Sequence, residues 1–299
     1  RIPKQSQLGL AAADNLHYQR ACFERAAASG HTPRLLGDLP PSVHLPRGAL
    51  LVEAIDGRPA HLPQDLPALA QALAALHRLP LPAQPAPLLH AADPLQALRD
   101  EVTAQATHLG GAALAPAARV LIERERAALD RLCGAPARPP RCLIAFDTHP
   151  GNFIVTPDGR AVLVDLEKCR YGPPGLDLAH ATLYTSTTWD VATSAVLGTA
   201  DELAFHHAWS RAVGPLADAA APWHGPLRRA MWLWSVTWCA KWRAVSGRAA
   251  VADGEDWSHE RSDAALVRHV RERVDHYLDA TTIAQVLDGI DALDRALRP

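Results

Sequence analysis

Asp147-Thr148-His149-Pro150-Gly151-Asn152, then a short apolar run, a turn and Val164-Asp165-Leu166-Glu167: this stretch decides the fold of the chain. Three apolar runs surround it, Cys142 to Phe146, Asn152 to Thr156 and Ala161 to Leu166. Runs this short, bounded by turn residues, read as buried strands rather than helices. The last two are joined by Pro157-Asp158-Gly159-Arg160, a hairpin signal, since Gly and Asp tolerate the backbone of a tight reversal. The stretch is therefore a loop, a β-hairpin and a second loop, with one Asp leading in and another coming out.

Upstream, Asp14 to Ser29 has helical periodicity in Leu16, Cys22, Phe23 and Ala26, with Asn15 or Asp14 to cap it and Gly30 to end it. A turn-rich Pro/Gly loop runs from Pro33 through Gly48. Ala49 to Ile55 then reads as a buried strand leaving into a linker at Gly57 and Pro59. Leu66 to Leu79 is helical, Leu79 to Pro87 an extended Pro-rich connector, and Leu95 to Leu109 and Pro116 to Cys133 are two further helices. Everything after Asp177 reads helical. The expectation is an α+β bilobal fold, with a small N-terminal α/β lobe over residues 1–57, a hinge at 53–57 and a larger, mainly helical C-terminal lobe over 58–299 that carries the hairpin. The active site is expected at the hairpin, where the loops face the cleft between the lobes.

The 299 residues are 48% hydrophobic and 21% charged, enough for a large core, and the formal net charge of −2 is dispersed along the chain. Nucleic acid would need a basic stripe, and there is none. Cys22, Cys133, Cys142, Cys169 and Cys239 are scattered and never form a C-x-x-C pair. That pattern predicts reduced thiols and a cytoplasmic location rather than a disulfide framework or a zinc site. The longest apolar stretch, Met231 to Ala240, is too short to span a bilayer. The chain opens on Arg1 with no visible signal peptide, and the small lobe is expected to continue upstream of it.

An Asp followed five residues later by an Asn, with a second Asp after the next hairpin, is a set suited to phosphoryl transfer. That chemistry needs a carboxylate to position the acceptor hydroxyl and oxygen ligands for magnesium bridging the phosphates. Taken alone, an Asp-x-x-x-x-Asn is common by chance; the hairpin and the second Asp give it weight.

On these residues the chain resembles the aminoglycoside phosphotransferase and choline kinase group, which has a protein-kinase-like fold. The usual signature is His-Gly-Asp-Leu-His-Pro-Gly-Asn, then Ile-Asp-Trp-Glu, then Asp-Leu-Ala. Here the segments read Ala145-Phe146-Asp147-Thr148-His149-Pro150-Gly151-Asn152, Val164-Asp165-Leu166-Glu167 and Asp177-Leu178-Ala179. Leu76-His77 and the hinge-like Val52 to Gly57 also fit. The resemblance implies a small-molecule kinase with ATP or GTP as donor and Mg2+ as cofactor, acting on an antibiotic, amino alcohol, sugar or related metabolite. It implies that Asp147 orients and deprotonates the acceptor hydroxyl, that Asn152 and Asp165 bind magnesium, and that the backbone of Glu53, Ala54 and Ile55 takes the adenine. Arg1, or else Lys4, would stand at the phosphate-contacting lysine. Glu167 would assist a metal or the substrate, and Asp177 would anchor the catalytic loop.

The chain departs from the pattern in three places. Ala145 replaces the first His, no Gly-rich phosphate loop is visible, and the helix glutamate that should pair with the phosphate-contacting cation aligns with Gln19, with Glu24 beyond it. These departures favour an alternative, a catalytically weak pseudokinase that binds nucleotide or metabolite as a regulator; the complete Asp147, Asn152 and Asp165 set favours the enzyme. A paired-carboxylate hydrolase or nucleotidyltransferase would require a different strand order. Among other polar and aromatic residues, His149 reads as loop packing. His206 and His207 point about 100° apart on a helix and do not share an ion. Trp234, Trp238 and Trp242 line one helix face, as core or as the wall of an acceptor pocket. Asp253, Glu255 and Asp256 read as a solvated loop, and Cys169 as an inert thiol.

Overall fold

The computed structural model describes residues 1–3, 9–246 and 264–298. Helix α1 (Ala12–Ala26) forms where the apolar periodicity places it. It ends through a 3-10 turn into Gly30, whose φ of 69° is the left-handed conformation that favours glycine. Neither expected cap operates: the N-cap is Ala11, with no side-chain bond. The Pro/Gly-rich loop contains a strand, β1 (Leu35–Leu39), antiparallel to β2 (Ala49–Val52), which is shorter than the apolar run that announced it. Residues 53–57 have no regular structure, and a two-residue strand β3 (Arg58–Pro59) follows. Gly57 is required there, because a Cβ would sit 2.5 Å from the Val155 carbonyl oxygen.

Helices α2 (Leu66–His77), α3 (Pro94–Ala106) and α4 (Pro116–Gly134) fall within a few residues of their expected bounds. Asp93 caps α3 by accepting from Leu95 and Gln96. Next come β4 (Cys142–Ile144), β5 (Phe153–Val155), β6 (Ala161–Leu163) and β7 (Arg170–Gly172), the last not anticipated. The predicted hairpin is present, with Phe153 opposite Leu163 and Val155 opposite Ala161, and β4 pairs with β7. The rest is helical: α5 (Gly175–Thr182), α6 (Tyr184–Thr187), α7 (Thr199–Val213), α8 (Leu216–Ala220), α9 (His224–Val245), α10 (Ala264–Tyr277) and α11 (Ala280–Leu297).

Two hydrophobic clusters organise the chain. One gathers α1, β2, α2, the hairpin and α7 around Phe23, Leu73, Phe153 and Trp209. The other gathers α3, α4, α9, α10 and α11 around Ile122, Trp232, Val274 and Ile290. The hairpin is held on both edges: β3 pairs with β5, and on the β6 side the Leu163 N–H donates to the His31 carbonyl (2.8 Å) while Arg160 reaches the Gly30 carbonyl (2.7 Å). Loops entering and leaving the hairpin are thus carried on backbone tied to both ends of the early chain. No helix among the described residues is long and apolar enough to cross a membrane.

Candidate active site

Residues 145–148 leave β4 as irregular backbone, whose buried N–H groups must find partners. They find them on α5. The Asp177 carboxylate accepts from the Ala145 and Phe146 N–H groups, both at 2.8 Å. Its third bond is to His77 Nε2 at 3.1 Å, and His77 Nδ1 accepts from the Trp209 indole at 3.0 Å. An indole N–H only donates, so the His77 proton sits on Nε2 and is given to Asp177. Thr148 completes the clamp, its hydroxyl on the Asp177 carbonyl (2.7 Å) and its N–H on His180 Nδ1 (3.0 Å). Because the loop is held through main-chain groups, its geometry does not depend on a histidine at position 145.

Phe146 stands where the family signature has Gly, at φ 66°. A bulky side chain there costs about 1–2 kcal/mol. Packing offsets it: the Arg170 guanidinium lies 3.8 Å from the ring centroid, and Trp234 meets the ring edge-on at 5.2 Å.

The left-handed turn at Phe146 presents Asp147. Lys168 Nζ lies 2.9 Å from its Oδ2, and His180 Nδ1 and His149 Nε2 lie 3.7 and 4.0 Å from its Oδ1. Burial alone would raise the Asp147 pKa, but Lys168, then His149 and His180, outweigh it and hold the carboxyl well below the usual range. Burial moves His180 the other way, down to about 4, in keeping with an Nδ1 that accepts a backbone N–H. His149 Nδ1 is buried without a hydrogen-bond partner.

Asn152 Nδ2 donates to the Asp147 carbonyl (2.9 Å), and the Asn152 carbonyl accepts from Val164 (2.9 Å). Asn152 and Asp165 therefore flank the open end of the hairpin. Arg1 reaches this end: its guanidinium bonds the Val164 carbonyl (3.0 Å), Asp165 and Glu167 (3.1 Å). Its main chain exchanges bonds with Leu50 of β2 at 2.9 and 2.8 Å. Burial lowers the Arg1 pKa, but the two carboxylates outweigh it and the net shift is upward. The amide and carboxylate oxygens suit a hard cation such as Mg2+. No group of three His, Cys, Asp or Glu side chains among the described residues forms a metal site on its own, so an ion here would draw further oxygens from a ligand.

Of the other sequence-predicted residues, Glu53 accepts from the Arg34 N–H (3.1 Å) and pairs with its guanidinium (3.2 Å), Ala54 is exposed and Ile55 half-buried. Glu24 pairs with Arg20 (2.8 Å), and Gln19 is buried. Lys4 and the acidic residues Asp253, Glu255 and Asp256 lie outside the described residues. Sequence reasoning missed Lys168, Arg170, Glu101 and His180. Arg170 pairs with Glu101 (2.5 Å), whose second oxygen accepts from the Trp234 indole (3.0 Å). One signal was available: Lys168 directly follows the second motif, in the turn that leads into β7.

The sequence profile of the phosphotransferase enzyme family (APH) matches residues 2–213. Among solved structures, a choline/ethanolamine kinase family protein from Mesorhizobium loti is similar at TM-score 0.55 and 15% identity, over 93% of this chain and 85% of that one. An ethanolamine kinase from Plasmodium vivax is similar at TM-score 0.58 and 13% identity, over 91% and 75%. A thermostable mutant of aminoglycoside phosphotransferase APH(4)-Ia is similar at TM-score 0.55 and 15% identity, over 89% and 83%. At these identities the likeness establishes the fold, which is the protein-kinase-like one. No curated protein matches the chain. With a loop clamped on Asp177, a hairpin closing on Asp165 and a profile covering most of its length, the chain belongs to the phosphotransferase enzyme family.

Proposed function

We propose that the protein is a small-molecule kinase that transfers the γ-phosphoryl group of a nucleoside triphosphate, ATP in the first instance, to an alcohol. The observation that carries this reading is the juxtaposition of a clamped, ionised Asp147 with Asn152 and Asp165 at the open end of the next hairpin. The structural neighbours named as kinases of choline or ethanolamine, both small alcohols, support it. The acceptor hydroxyl oxygen forms the new bond to the γ-phosphorus as the bond to the β–γ bridging oxygen breaks. Nucleoside diphosphate leaves with that oxygen, and the hydroxyl proton passes to the Asp147 carboxylate and on to solvent. A carboxylate held this far below neutral pH is a weak base, so its main contribution is to accept the hydroxyl hydrogen bond and aim the oxygen. Asn152 and Asp165 would hold Mg2+, which neutralises phosphate charge when bound. The nucleotide would lie between a lobe ending at the 53–57 hinge and the hairpin, with Arg1 turning to its phosphates. Five buried free thiols support a reducing, cytoplasmic setting, and the partners proposed are small molecules rather than nucleic acid.

In the structure, Arg1 on Asp165 and Glu167 adds to the sequence departures that favour a regulatory nucleotide-binding protein instead. ATP consumption with Mg2+ against a panel of alcohols separates the two readings. Acceptor-dependent turnover that falls about 10²–10⁴-fold in Asp147→Ala, with nucleotide binding kept, is expected of the enzyme. Turnover unchanged in that variant would sink the assignment.

A further inference from the structure

We infer that the acceptor is an alcohol without a cationic nitrogen near its reacting hydroxyl, and that Lys168 sets this specificity. The inference rests on the reading that Asp147 faces the acceptor, and it follows from how the charges beside that carboxylate are already matched. Lys168 Nζ is 2.9 Å from Asp147 Oδ2, and the same ammonium lies 5.8 Å from the centroid of the Trp234 ring. An indole face beside a carboxylate is the seat a ligand cation would take, since ring quadrupole and carboxylate both attract it. Here the chain's own ammonium holds that seat, with its side chain only 14% exposed.

The second aromatic face is taken in the same way. Arg170 covers Phe146 at 3.8 Å, and Arg170 also neutralises Glu101 (2.5 Å), the carboxylate that accepts from the Trp234 indole (3.0 Å). So Asp147 and Glu101 are both compensated, and a protonated amine brought to Asp147 meets Lys168 as a like charge. A hydroxyl, ether or carboxylate oxygen meets it as a hydrogen-bond donor.

The test titrates choline and kanamycin calorimetrically into the full chain loaded with Mg2+ and a non-hydrolysable ATP analogue, for wild type, Lys168→Met and Lys168→Arg. The expected result is no saturable binding to wild type or Lys168→Arg, and choline affinity gained by about tenfold or more in Lys168→Met. Choline or kanamycin bound as tightly by wild type as by Lys168→Met overturns the inference. So does a Lys168→Met protein that keeps nucleotide and gains no cation. Should Lys168→Met not fold, the turnover panel decides: wild-type kcat/KM for amine-bearing alcohols is expected to be at least tenfold below that for amine-free ones, and equality overturns the inference. The nucleotide titration is read separately. Its failure in wild type removes the kinase reading, whereas the choline comparison between variants still reports on Lys168.

Discussion

Phe146 sets two effects against each other. Replacing it with Gly would remove about 1–2 kcal/mol of left-handed strain, but also a fully buried ring packed on Arg170 and Trp234, and losses of that kind run to about 3–5 kcal/mol. Packing wins, so Phe146→Gly is expected to lose about 1–4 kcal/mol, read as a lower denaturant midpoint at unchanged slope. Asp177 is more exacting. Its carboxylate answers two backbone N–H groups and His77 in a site closed to water. Asp177→Ala orphans all three donors, and about 3–5 kcal/mol of stability should go with them, measurable by urea denaturation. The motif residues were legible in the sequence because their chemistry is local: Asp147 and Asn152 share one loop and Asp165 follows at the next turn. The positive φ of Phe146 was not legible, because what compensates it comes from β7 and α9, far along the chain. Lys168 was overlooked for a similar reason. Its role depends on where the turn before β7 carries its ammonium, and that is settled only by Asp147 on another loop and Trp234 on α9.

At the scale of elements, helices and the strands around the motif were read well, and β1, β3 and β7 were not. A helix repeats its apolar signal over several turns, and β4, β5 and β6 lie inside apolar runs bounded by turn residues, whereas β3 (Arg58–Pro59) and β7 (Arg170–Gly172) sit in no such run. Strand β1 hid in a Pro/Gly-rich segment, since Gly37 and Asp38 are poor strand residues; pairing with β2, and the Arg20–Asp38 contact at 3.0 Å, hold it in place. The Trp stripe of α9 divides along its length, Trp242 buried in the core and Trp234 half-buried against Phe146. The β3–β5 seam matters most for the site, because it ties the chain following residues 53–57 to the strand that begins after Asn152. Gly57→Ala would press a methyl group into the Val155 carbonyl and should cost about 1–3 kcal/mol as overpacking does. On the proposed function it should also weaken nucleotide binding, which a titration beside the melting curve would show. Unchanged affinity would place the nucleotide away from this seam.

Across the whole molecule, buried imidazoles set the response to acid. Burial pulls His180 and His224 each to about 4 and His206 well below its ordinary value. The unfolded chain takes up these protons from about pH 6.5, whereas the folded state resists down to about pH 4 for His180 and His224. Stability contributed by the neutral rings is therefore complete above about pH 6.5 and drains away as pH falls towards 4, on the order of 3 kcal/mol for each ring. Denaturant midpoints should fall across that window, and His224→Phe should flatten the fall; an equal slope in that variant would remove His224 from the account. Asp147, held far lower, stays ionised throughout, so acid inactivation should track unfolding rather than loss of the carboxylate. Arg1 carries a consequence of another kind. One residue grips β2 by its main chain and both hairpin carboxylates by its guanidinium, which makes it a buckle across the cleft as well as a counter-charge. On the proposed chemistry a divalent ion reaches Asp165 only by trading places with that guanidinium, so each turnover would unfasten and refasten the early strands, and ion loading and cleft opening would be a single event.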